Sequence, residues 1–200
     1  QTSLREGCSI WIAQSEGRAK DGIDRTDPAV IKMLTLHDRK RDFAEHIASL
    51  KIVPMSLAYE FDPCDEMKAR ELTSIAQTGE YQKTEGEDLL SLARGLAGFK
   101  GNIILRLGDV LDTSFSTAED VALEVDRQVL ANLKLFPISY WALSQIKEDQ
   151  YQSIWDQVRD QATTGDPAAY ESRQQDCDVA YRAQWLKTYA NPVVNKFSMS

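Results

Sequence analysis

Charged residues and glycines that could bind an anionic ligand lie near the start of this chain, in the segment EGRAKDG at positions 16–22. Two glycines and two cations there follow a short apolar run, residues 8–13, which is typical of a buried strand. In α/β sheets, small ligands bind at the carboxyl ends of strands. A cation beside flexible glycines can hold a phosphate at that edge, because guanidinium binds phosphate oxygens in pairs. The alternative is a solvated turn, the commoner role of charged glycine-containing loops.

A second candidate is the pair His37 and Asp42, which has the His-x-x-x-x-Asp spacing of a general base and its orienting carboxylate. On a continuous helix, side chains five positions apart differ by about 140° around the axis and do not meet. Two histidines among many aspartates make a chance match easy, so we interpret this pair as a decoy. A loop that brought the two side chains together would restore a catalytic pair, which is the weaker alternative.

A hydrophobic block with the sequence IVPMSLAYEFDPCD follows at positions 52–65. Taken together and in this order, the two blocks resemble the third and fourth motifs of the glycerolphosphate and lysophosphatidate acyltransferases. More narrowly, they resemble the bacterial glycerol acyltransferase branch of that family. The resemblance covers about the first 110 residues. The ordered pair is the specific signal, since either block alone is weak.

The resemblance implies a substrate phosphate-binding role for the Glu-Gly block and a nearby arginine, here Glu16, Gly17 and Arg18. The common family pattern has one residue between the glycine and the arginine, whereas Arg18 directly follows Gly17. This tighter spacing leaves open whether Arg18, Lys20 or both contact the phosphate. In the family, a hydrophobic strand ending near a proline completes the site, which assigns Val53 and Pro54 to the pocket.

The reaction implied by the resemblance moves a fatty acyl group from a thioester to a hydroxyl of glycerol phosphate or a lysophospholipid. The family's catalytic His-x-x-x-x-Asp motif belongs well upstream of the Glu-Gly block, and only 15 residues precede Glu16 here. We therefore expect this chain to be the C-terminal part of a longer enzyme, with its catalytic residues before Gln1. The alternative is a non-catalytic module, or an inactive remnant, that binds a phosphorylated ligand.

Expectations for partners follow from the same resemblance. Acyl-CoA or acyl-carrier protein would be a co-substrate, and no metal or other cofactor is expected. The substrate class implies a cytoplasmic protein with peripheral contact to the inner face of the cell membrane. No apolar run approaches the roughly 18 residues of a membrane span.

Composition restricts the function classes further. A formal charge of −8 disfavours a general nucleic-acid binder. Residues 1–50 carry eight basic and eight acidic side chains, so the acidic excess lies in residues 51–200. The candidate phosphate site thus lies in the least acidic quarter. The three cysteines at positions 8, 64 and 177 fit buried thiols, without metal-ligand or disulfide spacing.

The pattern along the chain predicts an α/β domain over residues 1–111 and a helical extension over residues 112–200. The first part would be a partial acyltransferase-type sheet flanked by helices, with strands at 8–13, 52–59 and 102–107. Helices are predicted after Asp27, over 43–50, over 63–78 and over 85–97. In the second part, Ser116 and Glu119 form a predicted capping box, and Asp166-Pro167 opens one last helix through Trp185. We expect the aromatic residues of this extension to pack in a core.

Overall fold

The computed structural model describes residues 4, 6–15, 20–38 and 40–198, except for the side chain of His37. Over these residues the chain is mixed α/β and mostly helical, with a small antiparallel sheet. The helices are α1 Pro28–Thr35, α2 Phe43–Leu50, α3 Asp65–Thr78, α4 Glu87–Ala97, α5 Ala118–Asn132, α6 Pro137–Gln145, α7 Asp149–Val158, α8 Pro167–Asp176 and α9 Arg182–Ser198. The strands are β1 Met55–Tyr59 and β2 Ile103–Leu107, and short 3₁₀ turns span Leu36–Asp38 and Arg159–Gln161.

The predicted strand at residues 8–13 is wrong. This segment is irregular and exposed, with Trp11 at 74% of its full accessibility. A strand needs a neighbouring strand to satisfy its backbone groups, and an apolar run alone does not say whether that neighbour exists. Cys8 lies in the same segment and is exposed, so the expectation that all three thiols are buried holds only for Cys64 and Cys177.

Helix starts follow the predicted capping chemistry in most places. Asp27 caps α1 by accepting a hydrogen bond from the Ala29 N–H at 2.8 Å, with Pro28 in the first turn. The predicted cap of α5 is shifted by one residue. Thr117 Oγ1, not Ser116, accepts from the N–H of Asp120 at 3.1 Å. Both serine and threonine suit a helix N-cap, so composition does not choose between neighbours.

The single last helix that the sequence predicted is two helices. Helix α8 ends at Asp176, and Cys177 has extended backbone angles. Asp178 then accepts from the N–H of Ala180 at 2.9 Å, and α9 starts at Arg182. An aspartate side chain that accepts from a nearby backbone N–H competes with helical hydrogen bonding, so the helix breaks here although the apolar periodicity continues.

The described residues form two compact units. The first unit comprises the described part of Gln1–Arg18 with Asp24–Ile52 and Val110–Asp126. It contains α1, α2 and the start of α5, and its buried apolar side chains include Ile31, Ile47 and Val121. Within this unit, Asp126 accepts from the backbone N–H and the hydroxyl of Thr26 at 2.8 and 2.6 Å.

The second unit comprises Val53–Asp109, the described parts of Ala19–Ile23 and of Arg127–Ser200. Its sheet pairs β1 and β2 antiparallel, with Met55 opposite Leu107 and Tyr59 opposite Ile103. One face presents buried Ser56 and Ala58 to the interior. The opposite face consists of apolar side chains that are half-buried or exposed, namely Met55, Leu57, Tyr59, Ile103, Leu105 and Leu107.

The core of the second unit is helical and aromatic. Helix α9 packs on α6 and α3, and its Trp185 is fully buried. The ring of Trp185 lies 4.6 Å from that of Tyr189 and 6.5 Å from that of Trp141. The aromatic residues of the tail therefore pack in a core, as the sequence predicted. Within the described part of the chain, no helix combines the length and apolarity needed to cross a membrane.

Candidate functional site

The candidate phosphate-binding loop is described only from Lys20 onward. Glu16, Gly17 and Arg18 lie outside the described residues. Lys20 is partly exposed, and its ammonium group forms an ion pair with the Glu71 carboxylate on α3. Glu71 is largely buried, so this pair is shielded from solvent more than a surface pair. The positive charge of Lys20 is therefore balanced by a carboxylate of the protein itself.

The turn after Lys20 is fixed to helix α9. The Asn191 side-chain amide donates to the Asp21 carbonyl at 2.7 Å, and its oxygen accepts from the Tyr151 hydroxyl at 2.9 Å. Asp21 in turn accepts from the N–H of Ile23 at 3.0 Å. Asn191 is buried, which protects these bonds from water. The described end of the loop is therefore held in one position on α9.

Gly22 makes the closest approach of this turn to α9. Its φ of +81° is a left-handed conformation that favours glycine. A Cβ at this position would lie 2.5 Å from the Thr188 carbonyl oxygen and 2.9 Å from Pro192 Cδ. Pro192 has no N–H, so it leaves the Thr188 carbonyl without its helical donor and lets the turn approach there. The sequence signal for this contact was the second glycine of the EGRAKDG segment.

The predicted pocket residues lie at the start of β1. Val53 is 39% exposed, whereas Pro54 is buried and its carbonyl accepts from the N–H of Gly108 at 2.8 Å. Pro54 thus precedes the strand, as expected for a residue without an N–H. Among the described residues, no hydrogen bond or ion pair joins Lys20 to Val53 or Pro54. Their membership of one site stays a prediction.

His37 and Asp42 belong to different local structures, a 3₁₀ turn and the start of a helix. Asp42 is the N-cap of α2 and accepts from the N–H of Glu45 at 3.1 Å. The backbone of His37 belongs to the 3₁₀ turn Leu36–Asp38, and its side chain lies outside the described part. A helix cap is a sufficient reason for an aspartate at position 42.

A buried polar network that the sequence did not reveal follows β1. Asp65, the first residue of α3, accepts from Arg173 Nε and from the Tyr189 hydroxyl, both at 2.8 Å. Arg173 also donates to the Asp62 carbonyl at 2.8 Å, and its guanidinium lies 5.2 Å from the Phe61 ring centre. Burial, with the Asp65 charge, raises the pKa of Tyr189 well above its ordinary value. The groups satisfy one another, so the network acts as a structural clamp on the FDPCD turn.

The partners of this network are more than a hundred positions apart, since Asp65 meets Arg173 and Tyr189. No local pattern links an aspartate after a strand to such distant residues. The only available signal was the unusual polarity of the segment FDPCD after an apolar strand. That signal does not identify the partners of Asp65.

A second buried carboxylate, Glu87, lies at the start of α4. It accepts from the Tyr81 hydroxyl at 2.6 Å and from the Thr84 N–H at 3.1 Å, and pairs with Arg70 at 3.1 Å. The Tyr81 hydroxyl is the main cause that lowers the pKa of Glu87 to about 2, with burial opposing it and Thr84 and Arg70 adding to the lowering. The carboxylate is thus held ionised and acts as a brace between α3 and α4.

Within the described ranges, no group of three or more histidine, cysteine, aspartate or glutamate side chains is arranged to hold a metal ion. Comparison of the chain with protein-family models, with curated proteins and with solved structures finds no match.

Proposed function

We propose that this chain is part of an acyltransferase that moves a fatty acyl group from an acyl thioester to a hydroxyl of a glycerol phosphate or lysophospholipid. The observation that carries the proposal is the order of two blocks, the Glu-Gly-Arg segment at residues 16–18 and the segment ending in FDPCD at residue 65. Both blocks resemble acyltransferase motifs; in that family the Glu-Gly block with a nearby arginine contacts the acceptor phosphate, and the hydrophobic strand completes the site.

The open sheet supports this proposal. Two backbone hydrogen bonds flank the β1–β2 pair, from the Glu60 N–H to the Asn102 carbonyl and from the Gly108 N–H to the Pro54 carbonyl. In an antiparallel pair, alternate residues of each strand direct their backbone N–H and C=O groups away from the partner strand. Within the described residues the sheet has two strands, so both outer edges lack a neighbour. Its outward face is also apolar, with Leu57 at 43% and Leu105 at 53% exposure. A sheet with open edges and an apolar open face is expected if further strands and helices complete it.

The ion pair of Lys20 with Glu71 supports a division of roles in the loop. An ammonium group already paired with a carboxylate is a poorer ligand for phosphate, because binding would require breaking that pair. We therefore assign the acceptor phosphate to Arg18, with the Glu16-Gly17 segment beside it, and assign Lys20 to anchoring the loop. Arginine suits this role because its planar guanidinium holds two phosphate oxygens at once.

The chemistry proposed for the complete enzyme is acyl transfer with general-base catalysis. A histidine in a segment before Gln1 removes the proton of the acceptor hydroxyl, and the oxygen attacks the thioester carbonyl carbon. The C–O bond forms, the C–S bond breaks, and the thiol leaves with a proton. The residues of this chain contribute by holding the phosphate, which places the hydroxyl for attack.

The test is Arg18→Ala in the complete protein, assayed for acyl transfer to a phosphorylated acceptor. We expect the KM for the acceptor to rise on the order of 10- to 100-fold, the loss of a charge-assisted contact. Arg25→Ala is the matched control, because Arg25 is an exposed arginine of the same region. Unchanged acceptor kinetics in the Arg18 variant would remove Arg18 from the site.

The coding sequence before Gln1 separates the enzyme from the alternative. A His-x-x-x-x-Asp motif there supports the acyltransferase. A start codon a few residues before Gln1 would contradict it. Glycerol phosphate binding that depends on Arg18, without acyl transfer, would then identify a non-catalytic binding module.

A further inference from the structure

An aromatic cleft of about 210 Å³ lies in the second unit, between α6, α7 and the loop that leads into α8. Its walls include four aromatic side chains, Tyr140, Trp141, Trp155 and Tyr170. None of the described residues that line it carries a charge. A cleft of this size accepts a small organic group, and the chemistry of its lining determines which class of ligand binds.

Two aromatic walls of this cleft pack against each other and against the loop. Tyr170 is 3% exposed, and its ring centre lies 5.8 Å from that of Trp141 at a tilt of 56°. The Tyr170 hydroxyl lies so close to Gly165 that a Cβ there would overlap it. Trp155, on α7, is half-buried and completes the aromatic lining. Rigid aromatic walls lose little entropy when a ligand binds.

The segment of the chain that forms the cleft is acidic in composition. Residues 137–176 carry seven acidic and three basic side chains. Asp166 lies in the loop between two lining residues, Gly165 and Pro167. Burial raises the pKa of Tyr170, and the carboxylates of Glu60 and Asp166 raise it further while the Asp166 N–H lowers it. The carboxylate nearest in sequence to the cleft lining is thus that of Asp166, beside Gly165 and Pro167.

We propose that this cleft binds an organic cation of the quaternary ammonium class, such as a choline group. Aromatic faces attract a cation through their quadrupole, and quaternary ammonium ions are recognised by such cages. These ions donate no hydrogen bonds, which suits a lining without charged side chains. The nearby carboxylates add long-range attraction, which a neutral apolar ligand would not gain. This inference is independent of the acyltransferase proposal.

The experiment titrates the full chain with choline and, separately, with its neutral isostere 3,3-dimethylbutan-1-ol, followed by ligand-observed NMR. Shape and apolar area are nearly equal in the two probes, so the positive charge is the difference between them. We expect choline to bind about tenfold more tightly than the alcohol, the size of a partly desolvated cation–π contact. Equal affinities, or no binding of choline, would overturn the proposal.

Two variants locate the site. Trp155→Leu keeps an apolar side chain but removes the indole face, and it should weaken choline binding about tenfold. Asp166→Asn keeps the helix cap, because asparagine is as good an N-cap as aspartate, and it should weaken choline about threefold while leaving the alcohol unchanged. Asp178→Asn is the matched control, because Asp178 is another exposed aspartate whose side chain accepts a backbone N–H and lies outside the cleft lining; it should change neither affinity.

A fatty alcohol or a fatty acid is the competing occupant. If decanoate or decanol binds in the cleft and is lost with Trp155→Leu while choline does not bind, the cleft serves an apolar chain and the proposal is wrong. If choline binding survives Trp155→Leu and Asp166→Asn unchanged, the cation binds elsewhere and the proposal is equally wrong.

Discussion

Single residues hold the described part of the candidate loop in place. Lys20 is paired with Glu71, and the Asp21 carbonyl is bonded to Asn191. Gly22 lies against the carbonyl of Thr188, which Pro192 leaves without its usual donor. These contacts fix one end of the segment that carries the proposed phosphate ligands. Loss of such an anchor should reduce stability first and acceptor binding as a consequence.

The substitution Gly22→Ala tests this anchor. Alanine at φ +81° is strained, and its Cβ would collide with the backbone of α9, so we expect a loss of about 3 kcal/mol in the free energy of unfolding. Gly79→Ala is the control, because Gly79 has φ +83° but no atom within 4 Å of its Cβ position, and about 1 kcal/mol is expected. Urea unfolding measures both. Equal losses would mean that backbone strain alone, and not contact with α9, matters at Gly22.

At the scale of elements, capping chemistry and apolar periodicity locate most helices. Asp27, Pro28 and the heptad-like leucines of α4 predict helices that the structure contains. The same signals do not say what an apolar face will contact. Leu92 and Leu96 of α4 are 60% and 76% exposed, although their spacing is that of a buried stripe. Burial depends on a covering element, which a local pattern cannot supply.

In the candidate site, too, the sequence indicates the residue types but not their contacts. Its cations and glycines could be read from the chain, because their types define the chemistry. The contact of Lys20 with Glu71 could not, since 51 positions separate these residues and either could have found another partner. The strand predicted at residues 8–13 does not form for a related reason, because strand formation depends on a neighbour elsewhere in the chain.

The brace at the start of α4 gives a pH-dependent prediction. The pKa of Glu87 is about 2 in the fold and 4.5 when unperturbed, so the unfolded chain binds the proton first. Its stabilising contribution is therefore complete above the unperturbed value and is lost as pH falls toward about 2. Glu87→Gln should lower the free energy of unfolding by about 2 kcal/mol at neutral pH, because it weakens buried charge-assisted bonds.

This difference between wild type and Glu87→Gln should shrink steadily in urea unfolding as the pH is lowered through the acid range. Asp88→Asn provides the control, because the Asp88 side chain is 81% exposed and its ion pair with Lys83 lies at the surface. Its effect should stay below about 0.5 kcal/mol at every pH. A Glu87→Gln effect that does not vary with pH would show that the carboxylate charge is not what stabilises α4.

At the scale of the whole molecule, apolar surface is distributed unevenly. The second unit buries Trp185, Tyr189 and Tyr170 in one continuous core, which also encloses Cys177. Outside that core, large apolar side chains stay exposed at Trp11 and, within the second unit itself, along α4 and on the outward face of the sheet. The three thiols report on burial in different parts of the chain, because Cys8 is exposed while Cys64 and Cys177 are buried.

Thiol labelling of the native protein therefore gives a prediction for the fold as a whole. One thiol, Cys8, should react rapidly with a chromogenic disulfide reagent at mildly alkaline pH. Cys64 and Cys177 should react at least about a hundredfold more slowly, because they require local or global opening and because burial raises the pKa of Cys177 to about 11. Cys8→Ser is the matched variant and should remove the fast phase alone. In denaturant, all three thiols of the wild type should react together. Two or more fast thiols in the native protein would show that the helices around Cys64 or Cys177 open readily, contrary to the packing described for the second unit.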